Sequence, residues 1–350
     1  MVLLLMSGLA SLSTGPALGQ SATSANPEGH MGITGADPSI LRTEEGFVSV
    51  ESVAGRTLYV REAPSLAELP DSRPTPIWRD RDGLGEVWAP EIVRHNGRFE
   101  VYFAAGAGSA HRMYVIKSDG PASGYGVAAQ VVLPQDKWAI DGVPLTYQGR
   151  RYFVWSGWQG DTDLAQDIFI AAMDADGQVL APRVLIASPD QSWENIGEQT
   201  PAINEAPQPI LDPAGQLHIV YSANGSWGEN YCLADLRLKA GAEPLDAAAW
   251  LASDGCLFGA NAATLAVGGT LARQARGVGH PSFVLPGEDH LPAGAAETAL
   301  PFVYHGVPAE EQPRNFWAAR KWFIGAFQWV PDVTYGSDSP DLGWGLAFSE

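Results

Sequence analysis

The sequence predicts an all-β protein folded as a five-bladed β-propeller. Three observations lead to this prediction: an internal repeat, a composition rich in turn-formers and aromatics, and no convincing long helix. The 350 residues include 39 Gly, 26 Pro and 12 Trp, which suits short strands joined by tight turns. A chain of this length can form a single all-β domain with a large core.

The repeat consists of five segments in which a polar or functional residue precedes apolar positions, a turn at Gly and an aromatic-rich strand. Their anchors stand at positions 37, 88, 141, 205 and 280, spaced by 51, 53, 64 and 75 residues. A unit of about 50 residues with four short strands has the size of a propeller blade. Because one blade cannot bury both of its faces, five blades are expected to stack around a channel. The alternative is a large sandwich with chance similarity between segments.

The ends of the chain are predicted to differ from its middle. Residues 1–19 contain the apolar run VLLLMSGLASL followed by small residues, which is typical of a signal peptide and predicts a secreted or periplasmic protein. Residues 20–31 are rich in Ser, Ala, Asn and Gly and predict a flexible linker. Residues 32–350 are then the propeller domain. Within it, the stretch NFWAARKWFIGAFQW predicts two strands around Gly325.

Charge and cysteine content narrow the class of partner and compartment. The net charge of −19 excludes a nucleic-acid partner and disfavours anionic membranes or acidic polymers. A neutral partner is expected. Cys232 and Cys256 are the two cysteines, and in an oxidising compartment they either pair or remain two buried thiols.

Three of the five anchors, Asp37, Asp141 and Glu205, are carboxylates. If the anchors begin the strands that line the channel, these side chains meet at one end of it. Hydrolysis of a glycosidic bond requires an acid for the leaving oxygen and a carboxylate that activates water or attacks carbon. A third carboxylate raises the pKa of the acid by repulsion. Each acid alone is more typical of a turn than of a catalytic site, since Asp-Pro and Asp-Gly are common turn pairs. Only the joint pattern indicates chemistry.

Seven short motifs make the pattern more specific. They are GADPSI (35–40), WAPEI (88–92), WAIDG (138–142), VWSGW (154–158), NEAPQPI (204–210), YSANGSW (221–227) and GHPSF (279–283). On these motifs, over about residues 32 to 330, the chain resembles glycoside hydrolase family 43 in its arabinofuranosidase-like branch. The resemblance implies an inverting mechanism in which Asp37 is the general base and Glu205 the general acid. It implies that Asp141 orients the acid and adjusts its pKa.

Two positions depart from the family's pattern. Ala206 follows the acid where the family usually has Gly, and its methyl group is expected to narrow the sugar subsite. Val278 stands where the family usually has Pro in the motif that contains His280. Neither change removes a catalytic group.

The resemblance also suggests residues around the sugar. It places Trp88 beside the sugar and Arg320 against its hydroxyls, with Arg276 and Arg314 as competing arginines. Trp158 is expected at the rim of the cleft. For three further tryptophans there are two alternatives, a position at the same rim or packing in the core. These are Trp155, Trp193 and Trp227.

The resemblance places His280 at the propeller axis, near which a structural calcium or other cation can bind. One histidine does not define a metal site, because calcium prefers oxygen ligands. No cofactor is expected to be required for the chemistry.

The implied function is an exo-acting α-L-arabinofuranosidase that releases arabinose from arabinan or arabinoxylan. Its expected partner is a neutral arabinose-containing oligo- or polysaccharide, with no nucleic acid, no membrane and a monomeric state. The alternatives on the same fold are a β-xylosidase, an endo-α-1,5-arabinanase and a non-catalytic carbohydrate-binding propeller. A sucrose-cleaving five-bladed hydrolase is disfavoured, because Ile140-Asp141-Gly142 stands in place of the Arg-Asp-Pro of those enzymes.

Overall fold

The structure is a computed structural model that describes residues 29–286, 288–336 and 341–349. The strands are β1 Gly29–Thr34, β2 Ser39–Arg42, β3 Phe47–Val53, β4 Thr57–Ala63, β5 Thr75–Arg79, β6 Glu86–His95, β7 Arg98–Gly106, β8 Arg112–Ser118, β9 Ala129–Gln130, β10 Ala139–Tyr147, β11 Arg150–Gly157, β12 Ala165–Ala172, β13 Val184–Ala187, β14 Ala202–Leu211, β15 Leu217–Ala223, β16 Cys232–Leu238, β17 Trp250–Ala252, β18 Cys256–Gly259, β19 Leu265–Leu271, β20 Ala275–Phe283, β21 Leu300–Pro308, β22 Lys321–Tyr335 and β23 Asp341–Phe348. Short 3₁₀ turns occur at Leu69–Asp71, Gly108–Ala110, Ala247–Ala249 and Trp317–Ala319.

The protein is therefore all-β. Among the residues that the structure describes, no helix has the length and apolar character needed to cross a membrane. The predicted signal peptide, residues 1–19, lies outside the described residues, as does the predicted linker up to residue 28. Strand β1 begins at Gly29, so the last three residues of the predicted linker belong to a strand.

Within the described residues the strands form four sheets. β2–β5 form one four-stranded sheet, β6–β9 form another, and β20–β23 with β1 form a five-stranded sheet. The fourth sheet contains the ten strands β10–β19. It divides into β10–β13 and β14–β19, which are joined by a short parallel pairing of Ala165 with Ala202 and Gln166 with Ile203. The chain thus contains five consecutive strand groups.

The first strands of the groups are β2, β6, β10, β14 and β20. Each contacts the next, and β20 contacts β2, so the contacts run in a closed order. Serine hydroxyls join neighbours: Ser39 accepts the Ile92 N–H at 3.0 Å and Ser282 accepts the Ile40 N–H at 2.8 Å. A buried hydrogen bond of this kind stabilises the fold by about 1 kcal/mol.

The apolar core lies between neighbouring groups. Val50 of β3 packs in one cluster with Val101 and Phe103 of β7. Trp322 of β22 packs in another cluster with Ile40 of β2, which connects the last group to the first. Because each group presents apolar side chains on both faces, it needs a neighbour on either side to exclude water.

The two ends of the chain meet in one sheet. Strand β1 pairs antiparallel with β22. The prediction of two strands around Gly325 is wrong, since β22 continues through this residue. A Cβ at Gly325 would lie 2.8 Å from the Phe348 ring and 3.2 Å from the Phe302 ring, so the glycine makes room for aromatic packing and no turn is needed. Of the two alternatives for the cysteines, the structure has the disulfide Cys232–Cys256, which links β16 to β18.

In every strand group one non-glycine residue, within the first strand or just before it, has a left-handed backbone conformation at or beside the anchor. These residues are Asp37, Ala89, Asp141, Ala206 and His280, with φ between 43° and 54°. Register shifts typical of β-bulges adjoin them in β6, β10, β14 and β20. A left-handed conformation costs a non-glycine residue roughly 1–2 kcal/mol, so the surrounding packing must hold it. Bulges re-aim side chains, and here they do so at equivalent points of four of the five groups.

At the opposite ends of these strands, one stretch of chain passes from group to group. The crossing segment comprises residues 284–286 and 288–294. It forms single parallel bridges with the ends of four first strands, which are Arg42–Pro286, Arg94–Glu288, Thr146–His290 and Leu211–Ala293. The Thr146 N–H donates to the Asp289 carbonyl at 2.6 Å. The crossing segment therefore covers the ends of these strands that face away from the anchors.

Candidate active site

A cavity of about 620 Å³ opens at the anchor ends of the first strands, a volume in the usual range of small-ligand sites. Its lining includes the three predicted carboxylates, the predicted histidine and arginine, and tryptophans from four strand groups: Asp37, Asp141, Glu205, His280, Arg320, Trp88, Trp158, Trp227 and Trp317. The structure thus brings together side chains that are up to 283 positions apart in the sequence.

Asp37 lies among positively charged and hydrogen-bonding groups. Its Oδ1 is 3.3 Å from His280 Nδ1, 3.3 Å from His305 Nδ1 and 4.0 Å from an Arg320 nitrogen. Burial alone would raise the pKa of Asp37, but the charge on His280, the hydrogen bond with His305 and the charge on Arg320 hold this pKa well below its usual range. Asp37 is therefore ionised at neutral pH, as a general base must be.

Glu205 has the opposite electrostatic surroundings. In the described part of the chain no cationic side chain forms an ion pair with it, and its neighbour Tyr231 contributes an uncharged hydroxyl. Burial, together with the charge on Asp37, raises the pKa of Glu205 to about 7, whereas Tyr231, His280 and Arg320 act to lower it. Glu205 therefore holds a proton up to about neutral pH, as a general acid must.

Asp141 is buried and is connected to the residue after the acid. Its Oδ2 accepts the backbone N–H of Ala206 at 2.9 Å. Burial raises the pKa of Asp141, and the charges on Glu205 and Asp37 raise it further, against the opposing effects of His280 and the Ala206 N–H. Because the two buried carboxyls repel each other's charge, together they retain at least one proton near neutral pH.

His280 lies between two carboxylates. Its Nδ1 faces Asp37 at 3.3 Å and its Nε2 faces Glu91 at 3.2 Å. Burial would lower the pKa of His280, but Asp37 and Glu91 raise it to about 10. Both ring nitrogens of His280 thus face carboxylates, which makes this side chain the positive charge of the site. That a calcium or other cation binds near His280 stays a prediction.

The tryptophans of the cavity occupy two kinds of position. Trp88 stacks on His111 with ring centroids 3.8 Å apart, and Trp158 stacks on Trp138 at 5.0 Å, so both line the cavity from fixed positions. The side chains of Trp227 and Trp317 are about half exposed, at 46% and 49%. Of the other candidates for the rim, Trp155 is fully buried and Trp193 packs against an apolar cluster, so both take the core alternative.

Arg320 is the arginine that the cavity contains. Its Nε donates to the Trp317 carbonyl at 2.8 Å and its guanidinium lies 5.1 Å from the Trp317 ring. Of its competitors, Arg276 is paired with Glu229 away from the cavity, and Arg314 is exposed outside the lining.

Ala206 does not line the cavity, and its side chain is completely buried. The expectation that its methyl group narrows the sugar subsite is therefore wrong. The backbone turns left-handed at this residue, which directs its N–H to Asp141 and leaves its methyl in the core.

Sequence reasoning missed three residues of this site. Glu91 accepts hydrogen bonds from His280 and from Gln208, the latter at 3.0 Å; its charge inside the apolar run APEIV was a usable signal. His305 lies beside Asp37 because β21 pairs with β20, where it is opposite Gly279. Tyr231 precedes β16, and nothing in its sequence neighbourhood marks it.

Comparison with known proteins agrees with this geometry. The family described as glycosyl hydrolases family 43 matches residues 32–334. The chain is 30% identical over 272 residues to an extracellular exo-alpha-(1->5)-L-arabinofuranosidase of Streptomyces avermitilis, a match covering 75% of this chain and 55% of that protein. It is 29% identical over 242 residues to alpha-L-arabinofuranosidase 43 of Humicola insolens, covering 65% of this chain and 49% of that protein. The chain thus spans about half the length of these relatives.

Among solved structures, the fold is similar to that of the alpha-L-arabinofuranosidase from Lactobacillus brevis. The TM-score is 0.72 at 26% identity, with 88% of this chain and 95% of that chain covered. The family match extends over most of the residues that form the five strand groups and the cavity. The chain belongs to glycosyl hydrolases family 43.

Proposed function

We propose that this chain is an inverting, exo-acting α-L-arabinofuranosidase that releases arabinose from arabinan or arabinoxylan. One observation carries the proposal: the cavity places an ionised carboxylate, Asp37, and a proton-holding carboxyl, Glu205, around one space. The names of the relatives from Streptomyces avermitilis and Humicola insolens support arabinose as the sugar. The word exo in the first name supports release of terminal units.

In the proposed mechanism Asp37 removes a proton from a water molecule as that water attacks the anomeric carbon. Glu205 gives its proton to the glycosidic oxygen as the carbon–oxygen bond breaks on the opposite face of the sugar. The water oxygen becomes the new anomeric hydroxyl, and the configuration inverts. This geometry requires the two carboxyl groups to be roughly 6.5–9.5 Å apart, which leaves room for the water.

Asp141 is proposed to act on the acid. Its negative charge, when present, raises the cost of ionising Glu205, and its hydrogen bond to the Ala206 N–H fixes the backbone beside the acid. Asp141 is therefore a positioning residue that also adjusts the pKa of Glu205.

Trp88, Trp158 and Arg320 are proposed to bind the sugar. Trp88 and Trp158 offer aromatic surface to the apolar face of a sugar ring, and both are held by stacking on a neighbouring ring. Arg320 is anchored through its Nε, and its Nη1 faces Asp37 and His305. Its Nη2 is the nitrogen proposed to donate to a sugar hydroxyl.

We further propose that the five strand groups are the blades of a five-bladed propeller that comprises residues 32–350. The closed order of contacts among the first strands and the five left-handed residues support this count. The predicted signal peptide and the extracellular relatives support secretion. A monomer acting on a neutral arabinose polymer remains the expected state.

The test is a hydrolysis screen on linear arabinan, arabinoxylan and xylo-oligosaccharides, with time-resolved product sizing. Arabinose as the sole early product supports the proposal. An early ladder of di- and trisaccharides identifies an endo-arabinanase, and xylose identifies a β-xylosidase. No product on any substrate points to a binding propeller. Glu205→Gln prepared in parallel is the control for contaminating activity.

The stereochemistry is tested separately by NMR of the sugar released in the first minutes. Inverted configuration supports water activation by Asp37, whereas retained configuration would make Asp37 a nucleophile and overturn its assignment as base.

A further inference from the structure

The end of the ring opposite the active site contains a group of potential metal ligands. His95 ends β6, and Asp289 and His290 belong to the crossing segment. One ligand atom from each of the three lies within 4.8 Å of the others. His95 Nδ1 is 2.7 Å from Asp289 Oδ1, and the His95 and His290 rings stack with centroids 5.9 Å apart. Three side chains from two distant chain segments thus converge at one point.

We propose that His95, Asp289 and His290 form a binding site for a divalent transition metal such as Zn²⁺, which joins the crossing segment to the end of β6. Two imidazoles and one carboxylate are a donor set that suits zinc and nickel better than calcium or magnesium, which prefer oxygen ligands. A metal bound by His95 Nδ1 and Asp289 Oδ1 replaces the hydrogen bond that joins these two atoms.

The surroundings complete the site. Arg151 Nε donates to Asp289 Oδ2 at 2.6 Å, which orients the carboxylate and leaves Oδ1 for the metal. A cavity of about 460 Å³ adjoins His95, His290 and Thr146, which gives space for a water as the fourth ligand. The buried Thr146 hydroxyl has no hydrogen-bond partner among the described residues, and a metal-bound water is a group it can contact.

The charge of Arg151 sets the strength of the site. Because Arg151 already offsets the charge of Asp289, the affinity for a second cation is lower than that of a structural zinc finger, and we expect micromolar binding. The effect is on stability, since His95 is seven residues along β6 from Trp88, about 23 Å for an extended strand.

The experiment uses the whole chain after dialysis against a chelator. Calorimetry with ZnCl₂ should show one ion per chain, and excess Zn²⁺ or Ni²⁺ should raise the Tm by about 3 °C. Any change in Tm with Ca²⁺ or Mg²⁺ should be the same in His290→Ala as in the unmodified chain. His290→Ala should abolish the zinc effect, and because His290 is exposed this variant should fold normally.

His95→Ala is expected to behave like His290→Ala. His30→Ala removes an exposed histidine on β1, outside the cluster, and should respond to zinc like the unmodified chain. Four results would each overturn the proposal: no zinc binding by the unmodified chain, an undiminished zinc response in His290→Ala, a Ca²⁺ response that His290→Ala also loses, or a lost zinc response in His30→Ala.

Discussion

Two buried glutamates at opposite ends of the molecule have opposite protonation behaviour. Glu205 at the cavity is 8% exposed and Glu100 near the crossing segment is 4% exposed. Glu100 lies 2.6 Å from Arg151, 2.6 Å from Lys117 and 2.7 Å from the Tyr102 hydroxyl. Burial alone would raise the pKa of both carboxyls; the partners of Glu100 lower its pKa to about 2, whereas that of Glu205 is raised to about 7.

The difference between the two ends lies in how many cations are available to the buried carboxylates. At the far end the carboxylates of Glu100 and Asp289 are paired with the cations of Arg151 and Lys117, so these buried charges hold the strands together. At the cavity end three carboxyls share His280 and Arg320, so one carboxyl is left holding a proton. The unpaired carboxyl is therefore the reactive one.

The largest effect is expected for the two residues proposed to transfer protons. Glu205→Gln and Asp37→Asn should each lower kcat by at least about a hundredfold, because the general acid or base is lost. The amides fill the same space, so thermal unfolding should change little. Glu100→Gln is the matched control, and its kcat should stay near that of the unmodified enzyme. Near-normal turnover in either cavity variant would remove that residue from the mechanism.

Asp141→Asn removes a like charge beside the acid. We expect kcat to fall by about tenfold, because the outer group that orients the acid is altered. We also expect the pKa of Glu205 to fall, so the alkaline limb of the pH–rate profile moves to lower pH. An unchanged limb would mean that Asp141 acts through position alone.

Glu91→Gln tests whether His280 must be charged. Without the Glu91 charge the pKa of His280 falls, and the pKa of Asp37 then rises because its nearest cation is weaker. The acid limb of the pH–rate profile should move to higher pH, with a severalfold loss of kcat. A loss of rate without any movement of the acid limb would indicate a packing effect only.

The smallest effect on rate is expected at the far end. Arg151→Met should leave kcat within about twofold but lower the free energy of unfolding by roughly 3–5 kcal/mol, because two buried carboxylates lose their cation. Arg150→Met is the control, since its pair with Glu243 is exposed and contributes about 1 kcal/mol at most. Denaturant unfolding with both variants checks this, and equal effects would contradict the comparison.

The stability difference should also depend on pH. The pKa of Glu100 is lower in the folded chain than its ordinary value of 4.5, so its pairing stabilises the fold fully above pH 4.5. That contribution is lost as the pH falls towards 2. The gap between the unmodified chain and Arg151→Met should therefore narrow in acid.

What the sequence predicted and what it missed follow from the range of the interactions. The repeat and its carboxylate anchors were readable because each lies within one local motif, such as Asp37 before Pro38. The contact between Glu91 and His280 joins residues 189 positions apart, and no local pattern encodes such a pairing. The prediction at Gly325 was wrong because the sequence does not distinguish a glycine that makes room for Phe302 and Phe348 from a glycine that forms a turn.

The crossing segment was also beyond sequence reasoning. It forms single bridges to four strands, and an isolated bridge has no alternating pattern that marks a strand. The left-handed Ala89 and Ala206 were equally hidden, because alanine has no preference for that conformation and only the packing around it holds it there.

The most direct test of the account is the pH dependence of kcat/KM for the unmodified enzyme on whichever oligosaccharide it hydrolyses. Because Glu205 must be protonated and Asp37 ionised, kcat/KM should be constant from about pH 4 to 6. It should then decrease at higher pH, reaching half of its maximum near pH 7. The fall should be absent from the residual activity of Glu205→Gln. A profile that stays level to pH 9, or the same alkaline fall in Glu205→Gln, would contradict the claim that an unpaired, buried Glu205 is the acid.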